Sequence, residues 1–201
     1  VNIHLSNQPF EEMAAEIIDS LGGAEMAPTF AFLDPFGFSG VPIDLIADLL
    51  ASDRSELFIY FHQNGVNRFA NAGNVDAHMR ALFGTDEYLY APPAGHPHRG
   101  RFFHDLYARQ LRDRARYPYV RSFEMVTSTG HTGHHLFFCT RSLTGLKKMK
   151  AAMWKLAPLG DFRFSDVNAE DSVLFVDNPN LLPLEDTLRH HFAGRTVLVE
   201  E

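Results

Sequence analysis

The sequence predicts an α/β fold with a mostly parallel sheet and a late antiparallel hairpin. Two short, nearly continuous apolar runs, Phe30 to Leu33 and Leu57 to Phe61, are typical of parallel strands covered on both faces. Segments with helical spacing alternate with these runs, and such alternation indicates a parallel sheet. Around residue 130, two strand-like segments are joined by a polar, glycine-containing connection, which predicts a hairpin.

The first third of the chain supplies two predicted strands and two predicted helices. Val1 to Leu5 alternates in polarity and predicts a strand, after which Phe10 to Leu21 has helical spacing and ends at Gly22-Gly23. Thr29 to Leu33 is the next predicted strand, and Ile43 to Leu50 the next helix. Because the chain starts at Val1 without Met in a strand-like segment, we expect it to be a piece of a longer protein.

The middle of the chain continues the alternation. Leu57 to Phe61 predicts a buried strand, and the polar segment Gln63 to Arg68 leads into helix-like residues up to Phe83. Gly84 to Gly100 contains several prolines and predicts a long loop. Phe102 to Ala115 predicts a basic amphipathic helix.

The hairpin and the closing elements follow. Tyr119 to Val126 and His135 to Thr140 are the two predicted hairpin strands. Leu143 to Leu156 predicts a helix, Phe162 to Asp166 a strand or tight turn, and Leu181 to Gly194 a short helix ended by glycine.

Composition limits the class of protein. A chain of 201 residues suits one domain with or without a short appendage. The formal net charge of −7 argues against a general nucleic-acid coat, which needs positive charge. The single cysteine, Cys139, excludes an internal disulfide, predicts a buried strand residue and is consistent with a cytoplasmic location. No apolar run approaches the length of a membrane span, and we expect no membrane partner.

The loop after the first buried run holds the best-placed candidate site. Asp34-Pro35-Phe36 follows Leu33 directly, and ligands of open α/β sheets bind at the carboxyl ends of strands. There a carboxylate can accept a hydrogen bond from an amino group, a proline keeps the turn rigid, and a ring can stack on a flat substrate. The alternative is a strand-ending turn that Asp34 caps locally, since Asp and Pro favour turns.

Several motifs together resemble a known family. They are Asp34-Pro-Phe-Gly-Phe-Ser-Gly-Val-Pro42, Asn64-Gly-Val-Asn-Arg68, Leu82-Phe-Gly-Thr-Asp86, Tyr119-Val-Arg-Ser-Phe-Glu-Met125, Met149-Lys-Ala-Ala-Met-Trp154 and Phe162-Arg-Phe-Ser-Asp166. Scattered over about residues 28 to 166, they resemble the three-Cys-motif partner protein family (TcmP).

The resemblance implies a Rossmann-like, class I methyltransferase-type fold, S-adenosylmethionine as cofactor of the full-length protein, and a partner carrying a three-cysteine motif. The family is often encoded in phage-like or other mobile elements. On this basis residues 1–176 would form the C-terminal part of the methyltransferase-like domain. Residues 177–201 would form a helical and strand extension that leads towards a winged-helix segment.

Two departures from the family pattern separate the functional alternatives. The strand and glycine loop that would cradle S-adenosylmethionine are missing, because Gly22-Gly23 follows a predicted helix. In addition, Phe36 stands where amino-methyltransferases have a second proline, so the stacking ring would be Phe36 or Phe38.

One reading is an enzyme that methylates an amino group of nucleic acid or protein, with Asp34, Pro35 and Phe36 as its catalytic loop. The other is a non-catalytic module that binds a three-Cys-motif protein.

Polar residues after the Leu57 to Phe61 run extend the candidate site. Asn64, Asn67 and Arg68 should lie at the same sheet edge as Asp34 if the two strands are neighbours, and they suit a polar substrate or a phosphate. With Phe38 they form the predicted substrate-binding set. The alternative is a helix cap with surface residues.

The segment from Arg99 to Arg121 interleaves arginines with aromatic residues, a pattern that favours single-stranded nucleic acid. The candidate nucleic-acid contacts are Arg99, Arg101, Arg109, Arg112 and Arg116. Two alternatives stay open: a helix with its rings in the core and its arginines in water, or a docking site for an acidic partner.

The histidines of His131-Thr-Gly-His134-His135 are predicted to be exposed turn residues. The segment lies at the predicted hairpin tip and contains no cysteine or acid, so we assign no metal.

Overall fold

The computed structural model describes residues 3–126, 132–157, 163–165 and 182–194. Within these ranges lies one five-stranded sheet. Its strands are β1 (Phe30–Leu33), β2 (Glu56–Phe61), β3 (Tyr119–Val126), β4 (Thr132–Thr140) and β5 (Arg163–Ser165).

The strands lie in the order β1-β2-β4-β3-β5. β1 is parallel to β2 and β3 is parallel to β5, whereas β4 is antiparallel to both of its neighbours, β2 and β3. Among the described strands, four therefore run one way and β4 runs the other. This arrangement confirms the predicted mixed α/β fold and the late antiparallel hairpin, and two of the four strand pairings are parallel.

The described residues also form seven α-helices. They are α1 (Phe10–Leu21), α2 (Ile43–Leu49), α3 (Gln63–Phe69), α4 (Asp76–Phe83), α5 (Arg99–Asp113), α6 (Leu143–Leu156) and α7 (Leu182–Phe192). No helix in this part of the chain is long and apolar enough to cross a lipid bilayer.

Two cores pack on opposite faces of the sheet. The larger one joins α1 to α5 to the face that carries Leu57, Val120 and Phe137, and the buried Cys139 belongs to it as predicted. The smaller one places α6 over Phe123 and Phe138. The sheet is thus covered on both faces at β3 and β4, in keeping with its apolar strands.

The face of the sheet on which α6 packs is uncovered at the β1 end. Phe30 and Phe32 are each 58% exposed, while Ala31, between them, packs against the larger core. The Phe32 ring lies 5.7 Å from the ring of Phe58, which adjoins the smaller core under α6. Because β1 is an edge strand of the described sheet, two large rings remain in solvent there.

The predicted strand Val1 to Leu5 is wrong over the residues the structure describes. Residues 3–5 are not in a strand, and the side chains of Ile3 and Leu5 are exposed. Alternation in polarity predicts a strand only where a neighbouring strand is available to pair with it, and no described strand pairs with these residues.

Two helix boundaries also differ from the prediction. The polar segment after β2 is itself helical, because the His62 ring accepts a hydrogen bond from the Gly65 backbone N–H and caps α3. α5 begins at Arg99 rather than at Phe102, inside the predicted loop, which also contains a 3₁₀ turn at Glu87–Tyr90. A glycine at position 100 suits the first turn of α5, because a Cβ there would lie only 2.7 Å from the Gln63 side-chain nitrogen.

Candidate functional site

The candidate residues lie at one edge of the sheet. Since β1, β2 and β3 run in the same direction, their carboxyl ends and the loops that follow β1 and β2 lie on that edge. The antiparallel strand β4 begins at the same edge. The predicted neighbourhood of the Asp34 loop and the Asn64–Arg68 segment is therefore confirmed at the level of topology.

The loop after β1 presents Asp34 and Phe36 to solvent. Asp34 is exposed and makes no hydrogen bond or ion pair with the described residues, and Phe36 is fully exposed at 104%. Phe38 is turned inward, with its ring 5.8 Å from that of Phe69. Pro35 and Phe38 line a cavity of only about 10 Å³. Of the two candidate stacking rings, Phe36 is thus the accessible one.

The segment after β2 divides into exposed and inward-facing residues. Asn64 and Arg68 are exposed, and the Arg68 guanidinium lies 5.1 Å from the centre of the Phe69 ring. Asn67 is half-buried, and its side-chain oxygen is buried without a hydrogen-bond partner in the described structure. Asn64 and Arg68 can therefore meet a ligand beside Phe36, whereas the substrate role predicted for Asn67 does not fit its inward position.

Arg99 is a structural residue, which corrects its assignment as a nucleic-acid contact. Its side chain is 2% exposed and donates hydrogen bonds to the carbonyl oxygens of Pro92 and Asn67 and, at 2.5 Å, to the Asn71 side chain. The guanidinium also lies 4.9 Å from the centre of the Phe103 ring. Burial lowers the pKa of Arg99. A side chain held in this way pins α5 to α3 and cannot reach a phosphate.

The other candidate arginines lie on the surface. Arg101 pairs with Asp105 at 3.3 Å and Arg109 with Glu87 at 2.6 Å, so their charges are partly neutralised. Arg112 and Arg116 are exposed and have no ion pair within the described ranges. Of the aromatic residues in this segment, Phe103, Tyr107 and Tyr117 are buried, and Phe102 and Tyr119 are half-buried. The structure therefore has the first of the two alternative arrangements, a helix with most of its rings in the core and most of its arginines in water.

A polar cleft of about 490 Å³ opens between α5 and the strands β3 and β4. Its lining residues are Gln63, Pro97, Gly100, Arg101, His104, Asp105, Ser122, Glu124, Thr132 and His135. Ser122 and Glu124 project from the same face of β3 as the core residue Val120, because side chains alternate along a strand. The cleft thus lies where the apolar core under α5 gives way to polar residues near the sheet edge.

Three of these side chains form a continuous hydrogen-bonded chain. Asp105 Oδ1 lies 2.8 Å from His104 Nδ1, and His104 Nε2 lies 2.8 Å from Ser122 Oγ. The His104 ring packs against two others, with its centre 4.5 Å from that of His135 and 5.1 Å from that of Phe137.

His135 is buried, and its prediction as an exposed turn residue is wrong. β4 begins at Thr132, earlier than predicted, so His135 pairs with Glu124 inside the sheet, and its Nε2 lies 2.7 Å from Gln63 Oε1. Burial, with a smaller contribution from the neighbouring His104, lowers the pKa of His135 to about 3. At neutral pH the ring is therefore uncharged.

His134 is half-buried between Tyr60 and His62, and His131 lies outside the described residues.

Sequence reasoning missed His104, Asp105, Ser122 and Gln63. Ser122 stands between Arg121 and Phe123 in a predicted strand, where a serine is common, and His104 occupies one position in a basic helix. One usable signal was the alternation of faces along β3. Ser122 and Glu124 stand at positions where apolar residues would have continued the core face of that strand.

The described residues contain no group of three or more histidine, cysteine or acidic side chains that could hold a metal. Comparison with protein-family models, curated proteins and solved structures finds no match.

Proposed function

We propose that this chain is the acceptor-binding part of a methyltransferase-like protein of the three-Cys-motif partner type, and that it holds an amino group of a nucleic acid or a protein. The observation that carries the proposal is the loop after β1. It presents the Asp34 carboxylate, which has no hydrogen bond or ion pair among the described residues, and a fully exposed ring, Phe36, at the edge of the sheet where ligands of open α/β folds bind. An exposed phenylalanine next to an unpaired acid contributes little to the fold, which is consistent with a role in binding.

The strand order supports the proposal. The hairpin folds back so that β4 lies between β2 and β3, and the chain resembles a family whose methyltransferase-type sheet ends in such a hairpin. In this position Asp34 would accept a hydrogen bond from the amino group and Phe36 would stack on the flat part of the acceptor. Asn64 and Arg68, on the neighbouring loop, would position it.

The described residues do not fit S-adenosylmethionine. The glycine-containing loop after β1 encloses about 10 Å³, whereas small-molecule sites measure hundreds of Å³. Gly22 ends α1 in a left-handed conformation, with its N–H bonded to the Asp19 carbonyl, and so does not form a loop after a strand. The larger cleft is lined by polar side chains apart from Pro97 and Gly100, with no apolar slot for a base. A methyl donor would have to be held by residues outside the described ranges.

Binding of amino-bearing ligands tests the proposed role of Asp34. We expect a single-stranded adenine oligonucleotide to bind more tightly than a thymine oligonucleotide, because only adenine has an exocyclic amino group. For a protein acceptor, a lysine-containing peptide should bind more tightly than its acetylated form. Asp34→Ala should weaken the preferred ligand roughly tenfold, as expected for loss of a hydrogen bond to a charged acceptor. Fluorescence anisotropy measures each affinity.

Asp53→Ala is the matched control, because Asp53 is also exposed but precedes β2 and so lies at the opposite edge of the sheet. This variant should bind like wild type. If neither ligand pair shows a preference that depends on Asp34, the acceptor-binding proposal is wrong.

A second candidate function is a non-catalytic module that binds a three-Cys-motif protein. The specific observation is the pair of half-exposed rings of Phe30 and Phe32 on an edge strand, where α6 leaves the sheet uncovered. Large exposed apolar side chains of this kind mark interaction surfaces, and an unpaired strand edge offers hydrogen bonds to a partner.

Substitution of the exposed rings tests this candidate. Phe32→Ser should weaken binding of a co-expressed three-Cys-motif protein at least tenfold, because central aromatic anchors dominate interfaces. Leu143→Ser, at a similarly exposed apolar residue on α6, is the control and should bind normally. Equal affinity of the two variants, measured by titration calorimetry, would exclude this surface.

A further inference from the structure

We propose that Ser122, His104 and Asp105 form a nucleophilic site for acyl transfer, and that the cleft between α5 and β3 accepts a small polar ester. This activity is separate from the methyltransferase-like proposal, because its residues lie in another cavity and require no cofactor. It rests on three side chains that meet in the polar cleft of about 490 Å³.

The hydrogen-bonded chain gives each group a defined role. A carboxylate only accepts hydrogen bonds, so the contact with Asp105 places the proton of neutral His104 on Nδ1. Its Nε2 then carries the lone pair and accepts the hydrogen bond from the Ser122 hydroxyl. This is the order of donors and acceptors that activates a serine nucleophile.

The scaffold holds the nucleophile and the base in place. Ser122 is fixed in β3, where it pairs with Phe137 of β4, and His104 is fixed on the long helix α5. The imidazole packs against both Phe137 and His135, and the pKa of about 3 keeps His135 uncharged beside it. A site on a strand and a helix retains its geometry better than one on loops.

The lining of the cleft indicates the substrate. A volume of about 490 Å³ accommodates a small molecule, and the polar walls favour a polar acyl group over a fatty one. The side-chain amide of Gln63 and the guanidinium of Arg101 are the hydrogen-bond donors of the described lining that can stabilise a developing oxyanion. The Gln63 oxygen is already engaged by His135, which leaves its N–H groups for a ligand.

The reaction balances with water as the second substrate. Ser122 Oγ forms a bond to the ester carbonyl carbon while its proton moves to His104 Nε2, and the carbonyl π electrons move to oxygen. When that oxygen re-forms the carbonyl, the bond to the leaving alcohol breaks and the alcohol takes the proton from His104. Water then attacks the acyl-serine, His104 accepts a proton from it and returns a proton to Ser122 Oγ, and the acid is released.

Asp105 is a positioning residue and contributes less than the other two. Its side chain is 54% exposed and also pairs with Arg101 at 3.3 Å, so water and a second cation weaken its hold on His104. We expect Asp105→Asn to lower kcat for p-nitrophenyl acetate by up to about fivefold without changing KM. A structural role alone would not produce this split.

Labelling with a fluorophosphonate probe tests the proposal. The wild-type chain should form one covalent adduct, and mass spectrometry of its peptides should locate it on Ser122. Ser122→Ala should lose the adduct, and His104→Ala should slow labelling roughly a hundredfold, as expected for loss of a general base. Added imidazole should partly restore the rate in His104→Ala.

Ser20→Ala is the control, because Ser20 is an exposed serine on α1 whose hydroxyl bonds to the Ile17 carbonyl. It should be labelled like wild type. The peptide map of the wild-type chain needs no variant, so it decides the matter even if Ser122→Ala does not fold. Labelling no faster than in heat-denatured protein, or an adduct on any other residue, would overturn the proposal. Neither outcome bears on amino-group binding at Asp34.

Discussion

His135 illustrates how a single buried side chain can make stability depend on pH. Its ring is packed against His104, bonded to Gln63 and paired in the sheet with Glu124. The charged groups around it are Asp105 and Arg101 on α5 and Glu124 on β3, all of which line the same cleft. Burial lowers the pKa of His135 from 6.5 to about 3, so the folded protein resists protonation there and the unfolded chain does not.

We therefore expect the free energy of unfolding to fall as the pH drops below about 6.5. Above that pH His135 is unprotonated in both the folded and the unfolded protein, so the full free energy of unfolding is retained. Between pH 6.5 and 5 only the unfolded chain gains the proton, which costs about 1.5 kcal/mol. Urea denaturation at several pH values should show a shallower dependence in His135→Gln. The same substitution at His78, exposed on α4, is the control. An unchanged slope in His135→Gln would contradict the assignment.

At the scale of elements, Arg114 ties three helices together. Its guanidinium pairs with Asp44 in α2 and donates to the Gly84 carbonyl at the end of α4, while its backbone N–H bonds to Gln110 in α5. Gly84 ends α4 with φ +65°, and its missing side chain makes room for this contact. The junction fixes α2, α4 and α5 relative to one another and so supports the α5 wall of the cleft.

Gly84→Ala should destabilise the fold by about 3 kcal/mol. The left-handed backbone costs an alanine about 1 kcal/mol, and overpacking in a core costs a similar amount or more. The new Cβ would lie 2.7 Å from Ile43 Cγ2, which is fully buried and cannot move away. Gly73→Ala is the matched control, since Gly73 has φ +72° and open space around it. Its cost in urea denaturation should be limited to about 1 kcal/mol. Equal losses in both variants would show that the contact with Ile43 has no effect.

At the scale of the whole molecule, local patterns predict the elements but not their meeting points. The apolar runs of β1 and β2 and the hairpin around β4 follow from residue spacing, and so does the placement of Asp34 at a sheet edge. The strand expected at Val1 to Leu5 fails because pairing depends on a distant neighbour. The cleft was not predicted from the sequence for the same reason, because it also depends on contacts between residues that are distant in the chain. Ser122 meets His104 only because α5 crosses β3, and the burial of His135 depends on the register between β3 and β4.

The position of β4 has a consequence for synthesis of the protein. β2 and β3 leave the ribosome before the strand that joins them, so neither can complete its hydrogen bonds while residues 132–140 are still being made. Until then the nascent chain carries the apolar strand β2 with one edge unpaired, a state prone to association with other chains. Assembly of the sheet is therefore delayed until residues 132–140 have been translated, and a chaperone that shields β2 during this interval would raise the yield of folded protein.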